Sequence, residues 1–453
     1  MYYLIENHSK TNWDPAPEII AVSASDKHTL LTKLIDLKEK LSASLSPAEL
    51  TKISADSRES FFSTSRCRLL TIIESSDDPG AMCDIAIENL KKNNDTTWNV
   101  KNIYYGENKS LGKLAFVFPG QGSQYVGMGH DLIKCFPEAR LTLGLADKIF
   151  NSDRKLTDFI FPEITGKENE KITFDEALRS TDIAQPAIGT TSLLMFKILQ
   201  RFNITPEAAC GHSYGELSAL YASGRFTESD FLSLSVARGK YMAQAGGPKD
   251  KGGMLAVRAP LEKIDELLRT INLDVILANR NSPDQGVLSG PTDAINQMKT
   301  ICKENKIRAT ILPVAAAFHS QLVKDAAKPF QQAVDSTDFL QSAIPVFSNT
   351  TGTPYPDDSE SAKKILGEHI LLPVNFITEI QNMHESGIQT FVEVGPKTVL
   401  TGLIKSILKE HNAYALGVDG SAGRRSGITD LAKSLCMLSS IGYPVNIVKW
   451  CKP

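Results

Sequence analysis

The sequence predicts an α/β fold, and three observations carry the prediction. Apolar strand-like runs alternate with helical segments between residues 110 and 248, the pattern of a mostly parallel sheet with helices packed on it. Residues 249–317 read in the order β-α-β-β-α-β, which is the signature of a ferredoxin-like unit. Residues 17–109 add a small α/β unit with enough apolar positions for a core of its own.

The elements follow in order. A proline-bearing stretch, WDPAP, closes the first sixteen residues, and a strand is expected at IIAVSA. Helices are expected through HTLLTKLIDLKEKLSAS and PAELTKISADSRESFF, then a strand at CRLLTIIES, a helix through PGAMCDIAIENLKKN and one strand at WNVKNIYYG. The next region contains the strand LAFVF and the long apolar-periodic helix IAQPAIGTTSLLMFKILQRF. The ferredoxin-like segment has strands at GMLAVRA, LDVILANR, QGVLSGP and IRATILPVA, with helices through PLEKIDELLRTI and TDAINQMKTICKE. The larger body resumes over 318–410, with strands expected at IPVFSNTTG and TFVEVGP, and residues 411–453 form a tail with a helix through ITDLAKSLCMLSSIG.

Composition excludes several function classes. The chain has 453 residues, enough for two or three domains, and its 49 Lys and Arg against 52 Asp and Glu give a net charge of -3. That balance argues against a nucleic-acid surface and favours small molecules or protein partners. No apolar run is long enough for a bilayer and the N-terminus lacks the pattern of a secretory leader, so a cytoplasmic location is expected. The seven cysteines are dispersed without CxxC spacing and the eight histidines form no HExxH pattern, which fits reduced thiols and no metal site. Cys210 reads as a small apolar residue ending a buried strand.

The chemistry-bearing motif is Gly211-His212-Ser213-Tyr214-Gly215. Glycines on both sides of a serine permit a sharp strand-to-helix elbow that exposes the hydroxyl, while the helix beyond it aims N–H groups at a developing oxyanion. Upstream, LAFVFPGQGSQYVGMG breaks from a strand into a glycine-rich loop at Gly120 and Gly122. Downstream stand VAAAFHSQLV, with His319 as candidate base, and FVEVGPKTVLTGLI. A serine hydroxyl is a poor nucleophile near neutral pH and requires such a base within hydrogen-bond reach.

These four ordered segments resemble the malonyl-CoA:acyl-carrier-protein transacylase family and the acyltransferase domains of polyketide and fatty acid synthases. The resemblance implies an α/β-hydrolase-like large subdomain (110–248 and 318–410) interrupted by the ferredoxin-like one (249–317). It also implies a ketosynthase-acyltransferase linker domain at 17–109, preceded at 1–16 by the end of a ketosynthase, and a post-acyltransferase linker at 411–453. Ser213 and His319 are then the catalytic pair. The backbone N–H groups of Tyr214 and Gln121 form the oxyanion hole, and a main-chain carbonyl near EVGP orients the base, with Glu393 left a structural role. Arg238 matches the arginine that holds the free carboxylate of a malonyl group, Gln185 a position lining the acyl pocket, and His212 a supporting position.

The substrates so implied are malonyl-CoA and the phosphopantetheine thiol of an acyl carrier protein, with no metal or bound cofactor and with a ketosynthase as neighbour. Phe318 matches the residue that malonyl-selective relatives carry where methylmalonyl-selective ones usually have serine. Ala316 and Tyr214 depart from the familiar pattern and leave an unusual extender unit open. The set GHSYGEL, NRNSP and AAAFHS is closer to iterative synthases of polyenes or polyunsaturated chains. A serine thioesterase or acyl hydrolase, and a scaffold module of a synthase, are the competing readings.

Overall fold

The computed structural model describes residues 17–41, 45–108, 112–163, 170–245 and 250–450. The expected tail at 1–16 lies outside them. The chain divides into two compact units: the described parts of Met1–Leu111 and Arg425–Pro453 with Gln200–Ile204, and Gly112–Leu199 with Thr205–Arg424.

The first unit is built on an antiparallel sheet of β1 (Glu18–Ala24), β2 (Cys67–Ile73), β3 (Thr97–Val100) and β4 (Ile103–Glu107), in the order β1-β2-β4-β3. Both long strands are buried at every residue, as a sheet covered on both faces requires. Ile20, Val22, Leu69 and Ile73 share a core with Leu30, Leu34, Met82 and Ala86 of the helices Lys27–Leu41 and Pro79–Lys92. The helix Pro47–Glu59 begins with a capping box between Ser46 and Glu49 and a proline in its first turn. The helix Gly427–Ser440 lies so close to the sheet that a Cβ on Gly106 would sit 1.9 Å from the Ser440 carbonyl oxygen, which also accepts from Arg68 Nε at 3.0 Å.

WNVKNIYYG differs from the expected single strand. Lys101 takes a left-handed φ of 46° and Val100 pairs with Ile103, so the segment folds into the β3–β4 hairpin.

The second unit carries the parallel sheet. Its strands are β5 (Lys113–Phe118), β6 (Ala208–Gly211), β11 (Ile388–Glu393) and β12 (Tyr414–Gly417), in the order β12-β11-β5-β6. Phe118 aligns with Gly211 and Glu393 with Val117. The loops that follow β5, β6 and β11 therefore emerge at one edge, where ligands of open parallel sheets bind. The expected break at residue 410 falls too early, because β12 is hydrogen-bonded to β11 and its loop stays with this unit to Arg424. IPVFSNTTG is likewise not a full strand: Val346 forms one bridge to Ala209, Pro345 has no N–H to give, and the chain turns from Ser348 to Gly352.

Between these parts stand β7 (Gly253–Arg258), β8 (Ile276–Ser282), β9 (Gln285–Gly290) and β10 (Arg308–Ile311), an antiparallel sheet in the order β10-β7-β9-β8. The helices Leu261–Thr270 and Thr292–Glu304 pack Ile264, Ile295 and Met298 against Leu255, Val257 and Leu288. Among the described residues no helix is long and apolar enough to cross a membrane.

Gly106→Ala should destabilise the first unit by about 1 to 3 kcal/mol, because backbone rather than a flexible side chain blocks the new methyl. A lowered urea midpoint is the expected readout.

Candidate active site

Ser213 sits where β6 turns into the helix Gly215–Ala222, and its φ is +51°, in the left-handed region. The turn closes only without side chains around it. A Cβ on Gly211 would meet the Gly215 carbonyl carbon at 2.0 Å, and one on Gly215 the Phe118 oxygen at 1.9 Å. Gly120, in the loop after β5, would meet the His212 oxygen at 2.4 Å, so the Gln121 loop lies directly against the elbow. Asn349 then fixes the serine from outside the local chain, its Oδ1 accepting the Ser213 N–H at 2.6 Å while its Nδ2 donates to the Gly211 carbonyl and, at 2.9 Å, to Glu379.

His319 is brought to the serine from the segment after the inserted sheet. Its Nε2 is 2.7 Å from Ser213 Oγ, and its own φ is +56°. The Nδ1 faces the carbonyls of Leu372 at 2.9 Å and His369 at 3.2 Å. Those acceptors assign the proton to Nδ1 and leave Nε2 as the acceptor toward the hydroxyl. The orienting carbonyls thus come from 369–372 and not from EVGP. Glu393, at the end of β11, accepts instead from the N–H groups of Leu400 and Thr401 and caps the helix Val399–Ile407.

Arg238, on the helix Glu228–Gln244, is 1 % exposed. Its Nη1 donates to Gln185 Oε1 at 2.9 Å, while its Nη2 is buried with no hydrogen-bond partner among the described residues. Gln185 is held in turn by Met242, and Gln121 Nε2 donates to Thr181 Oγ1 at 3.2 Å at the start of the same helix as Gln185. His212 turns away from the serine: its Nε2 meets Asn281 of β8 at 2.7 Å and its ring lies edge-on to Phe376. Phe318 is buried immediately before the base, its N–H bonded to the Ala316 carbonyl.

Burial governs the charges. It pushes His319 down to about 3, helped by the positive charge of Arg238 and opposed by the two carbonyls, so the ring is neutral across the ordinary histidine range. Arg238 is lowered by burial to about 10 and remains a cation near neutral pH. Glu216, beneath the elbow, is raised by burial to about 7 against the hydrogen bonds from Tyr355 and the Asn349 N–H. Cys210 is buried at the end of β6 and its thiol is pushed well up, which leaves it a packing residue. Among the described residues no group of three or more metal-binding side chains comes together.

Asn349, Glu216 and the 369–372 carbonyls were not singled out in the sequence. Only the NTTG turn near Asn349 gives a local hint, and it does not name a partner 136 residues away.

A nucleophile elbow, a histidine at hydrogen-bond distance and a buried arginine on an α/β sheet define a serine acyltransferase, and the comparisons agree. Residues 115–425 match the acyl transferase domain family, and the chain belongs to it. It is 35 % identical over 312 residues to the malonyl CoA-acyl carrier protein transacylase of Bacillus subtilis, covering 68 % of this chain and 94 % of that protein. It is also 32 % identical over 329 residues to a polyunsaturated fatty acid synthase polypeptide of Thraustochytrium, matching 70 % of this chain but 11 % of that much longer protein. The acyltransferase domain from the second module of the salinomycin polyketide synthase shares the fold over 95 % of both chains, with a TM-score of 0.72 at 24 % identity.

Because His319 stays neutral, kcat/KM for acyl loading should remain flat as pH falls through 6.5 toward about 5. An acid limb centred at 6.5 would contradict the burial of the ring. Stability should behave otherwise: below pH 6.5 the unfolded chain binds a proton that folded His319 refuses, so stability is complete above 6.5 and declines as pH falls toward the depressed value. Asn349→Ala should lower kcat with little change in KM and cost about 1 to 3 kcal/mol of stability, since it strands the Ser213 N–H and the Gly211 carbonyl.

Proposed function

We propose that this acyltransferase moves a malonyl-type group from coenzyme A to the phosphopantetheine thiol of an acyl carrier protein through an ester on Ser213. The observation that supports it most is the pairing of a preformed Ser213–His319 hydrogen bond with Arg238, a buried cation whose Nη2 has no hydrogen-bond partner among the described residues. A guanidinium binds both oxygens of a carboxylate through its planar fork, which suits the free end of a malonyl thioester and not a neutral acyl chain.

Ser213 Oγ attacks the thioester carbonyl as its proton passes to His319 Nε2. The imidazolium so formed is held by the carbonyls of Leu372 and His369 on the far side of the ring. The backbone N–H groups of Tyr214 and Gln121 receive the oxyanion, each such donor typically contributing about 2.7 to 4 kcal/mol. Collapse breaks the C–S bond, and His319 returns the proton to the departing CoA sulfur. The carrier thiol then gives its proton to His319, attacks the seryl ester and regenerates the Ser213 hydroxyl. The acyl group stays activated throughout, so the cycle as written calls for no metal or bound cofactor.

In this reading Gln185 holds the arginine, His212 ties the elbow to β8 through Asn281, and Phe318 restricts room beside the base for an α-methyl group. Excluding a methyl is worth only about 1 to 3 kcal/mol, so preference for malonyl over methylmalonyl is expected. Residues 249–317 form a ferredoxin-like insert in a hydrolase-like body, and residues 17–109 serve as a linker beside a ketosynthase of a cytoplasmic synthase.

Arg238→Ala should reduce malonyl-CoA loading by roughly 10²- to 10³-fold in kcat/KM, the expected loss when one partner of a buried charge pair is removed. Acetyl-CoA loading should change by less than a few-fold. Equal losses for both substrates in a folded variant would remove the carboxylate pocket and favour a general acyl hydrolase.

A further inference from the structure

Tyr214 follows the nucleophile, and that place in the chain suggests a residue bordering the acyl pocket. Its side chain goes elsewhere. The residue is 1 % exposed, and its hydroxyl donates to Ser235 Oγ at 2.7 Å. The Ser235 hydroxyl donates in turn to the Phe231 carbonyl at 2.7 Å, one turn back on the helix Glu228–Gln244. The space for the ring comes from the opposite helix, Thr181–Arg201, where a Cβ on Gly189 would lie 1.9 Å from the Tyr214 hydroxyl.

These positions are in phase with the arginine's own anchors. Ser235 precedes Arg238 by three residues on one helix, and Gln185 precedes Gly189 by four on the other, so each pair shares a helix face. The Arg238 guanidinium carbon stands 5.8 Å from the centre of the Tyr214 ring. Among the described residues, Gln185 is its hydrogen-bond partner, and the Glu216 carboxylate acts on it electrostatically from beyond ion-pair distance. A desolvated cation with no carboxylate in direct contact among the described residues gains from a π face.

We propose that Tyr214, seated by Gly189 and Ser235, is a positioning residue for Arg238. Its side chain thereby sets affinity for the acyl carboxylate and leaves the choice of α-substituent to other residues. The inference rests on the carboxylate-binding role proposed above for Arg238. It assigns a specificity function to Gly189 and Ser235, which act through the Tyr214 hydroxyl.

The test compares burst loading of the intact chain by malonyl-CoA, methylmalonyl-CoA and acetyl-CoA. Ser235→Ala deprives the phenol of its acceptor and should raise KM for malonyl-CoA about 3- to 10-fold, leave acetyl loading unchanged and preserve the malonyl-to-methylmalonyl ratio. Gly189→Ala crowds the hydroxyl and should do the same more strongly. Tyr214→Phe added to Gly189→Ala removes the crowded oxygen and should recover part of the loss. Should Gly189→Ala fail to fold, Ser235→Ala carries the test. Parallel losses with malonyl and acetyl, or a shift confined to the malonyl-to-methylmalonyl ratio, would overturn the inference. Wild-type chain loaded normally by malonyl-CoA, with Ser235→Ala indistinguishable from it, would overturn the inference alone. Wild-type chain that accepts no malonyl group would overturn the reading of Arg238 beneath it.

Discussion

The site depends on one backbone conformation, the left-handed turn at Ser213. A non-glycine residue there costs about 1 to 3 kcal/mol of strain and persists only where the surroundings dictate it. Here they do so from three sides. Gly211, Gly215 and Gly120 let β5, β6 and the following helix approach within contact of bare backbone, and Asn349 closes the open side by binding the Ser213 N–H and the Gly211 carbonyl. The same turn points the hydroxyl at His319 and leads into the helix Gly215–Ala222.

Burial does the electrostatic work around that turn. His319 is kept neutral by desolvation and by the nearby guanidinium, and a neutral imidazole is the form that accepts the serine proton. Arg238 is enclosed with a glutamine and an aromatic ring as neighbours. In the proposed cycle an incoming carboxylate would pair with the guanidinium and so lift the part of the His319 depression that Arg238 adds to burial. In that proposed cycle, substrate binding and base strength would be coupled through one cation.

The parts of this arrangement written into local sequence were readable. Glycines at 120, 211 and 215 announced close backbone approach, and the 3.6-residue periodicity of TDAINQMKTICKE marked the helix Thr292–Glu304. The contacts that close the site were not readable, because they join segments far apart in the chain. Asn349 reaches Ser213 across 136 residues, and the carbonyls that hold His319 are backbone atoms, which carry no sequence signal. The resemblance led to a backbone orienter but to the wrong loop. The β3–β4 hairpin and the placement of β12 escaped for a related reason: the first turns at a lysine and an asparagine without glycine, and the second is a four-residue strand defined only by its neighbour.

The most direct measurement is intact-mass analysis with peptide mapping after exposure to a panel of acyl-CoAs, followed by addition of a phosphopantetheinylated carrier protein. The account predicts one malonyl adduct on the peptide containing Ser213, little adduct from neutral acyl-CoAs, and transfer of the label to the carrier. Absence of a malonyl adduct, its location away from Ser213, or release of the label to water in preference to the carrier would contradict it.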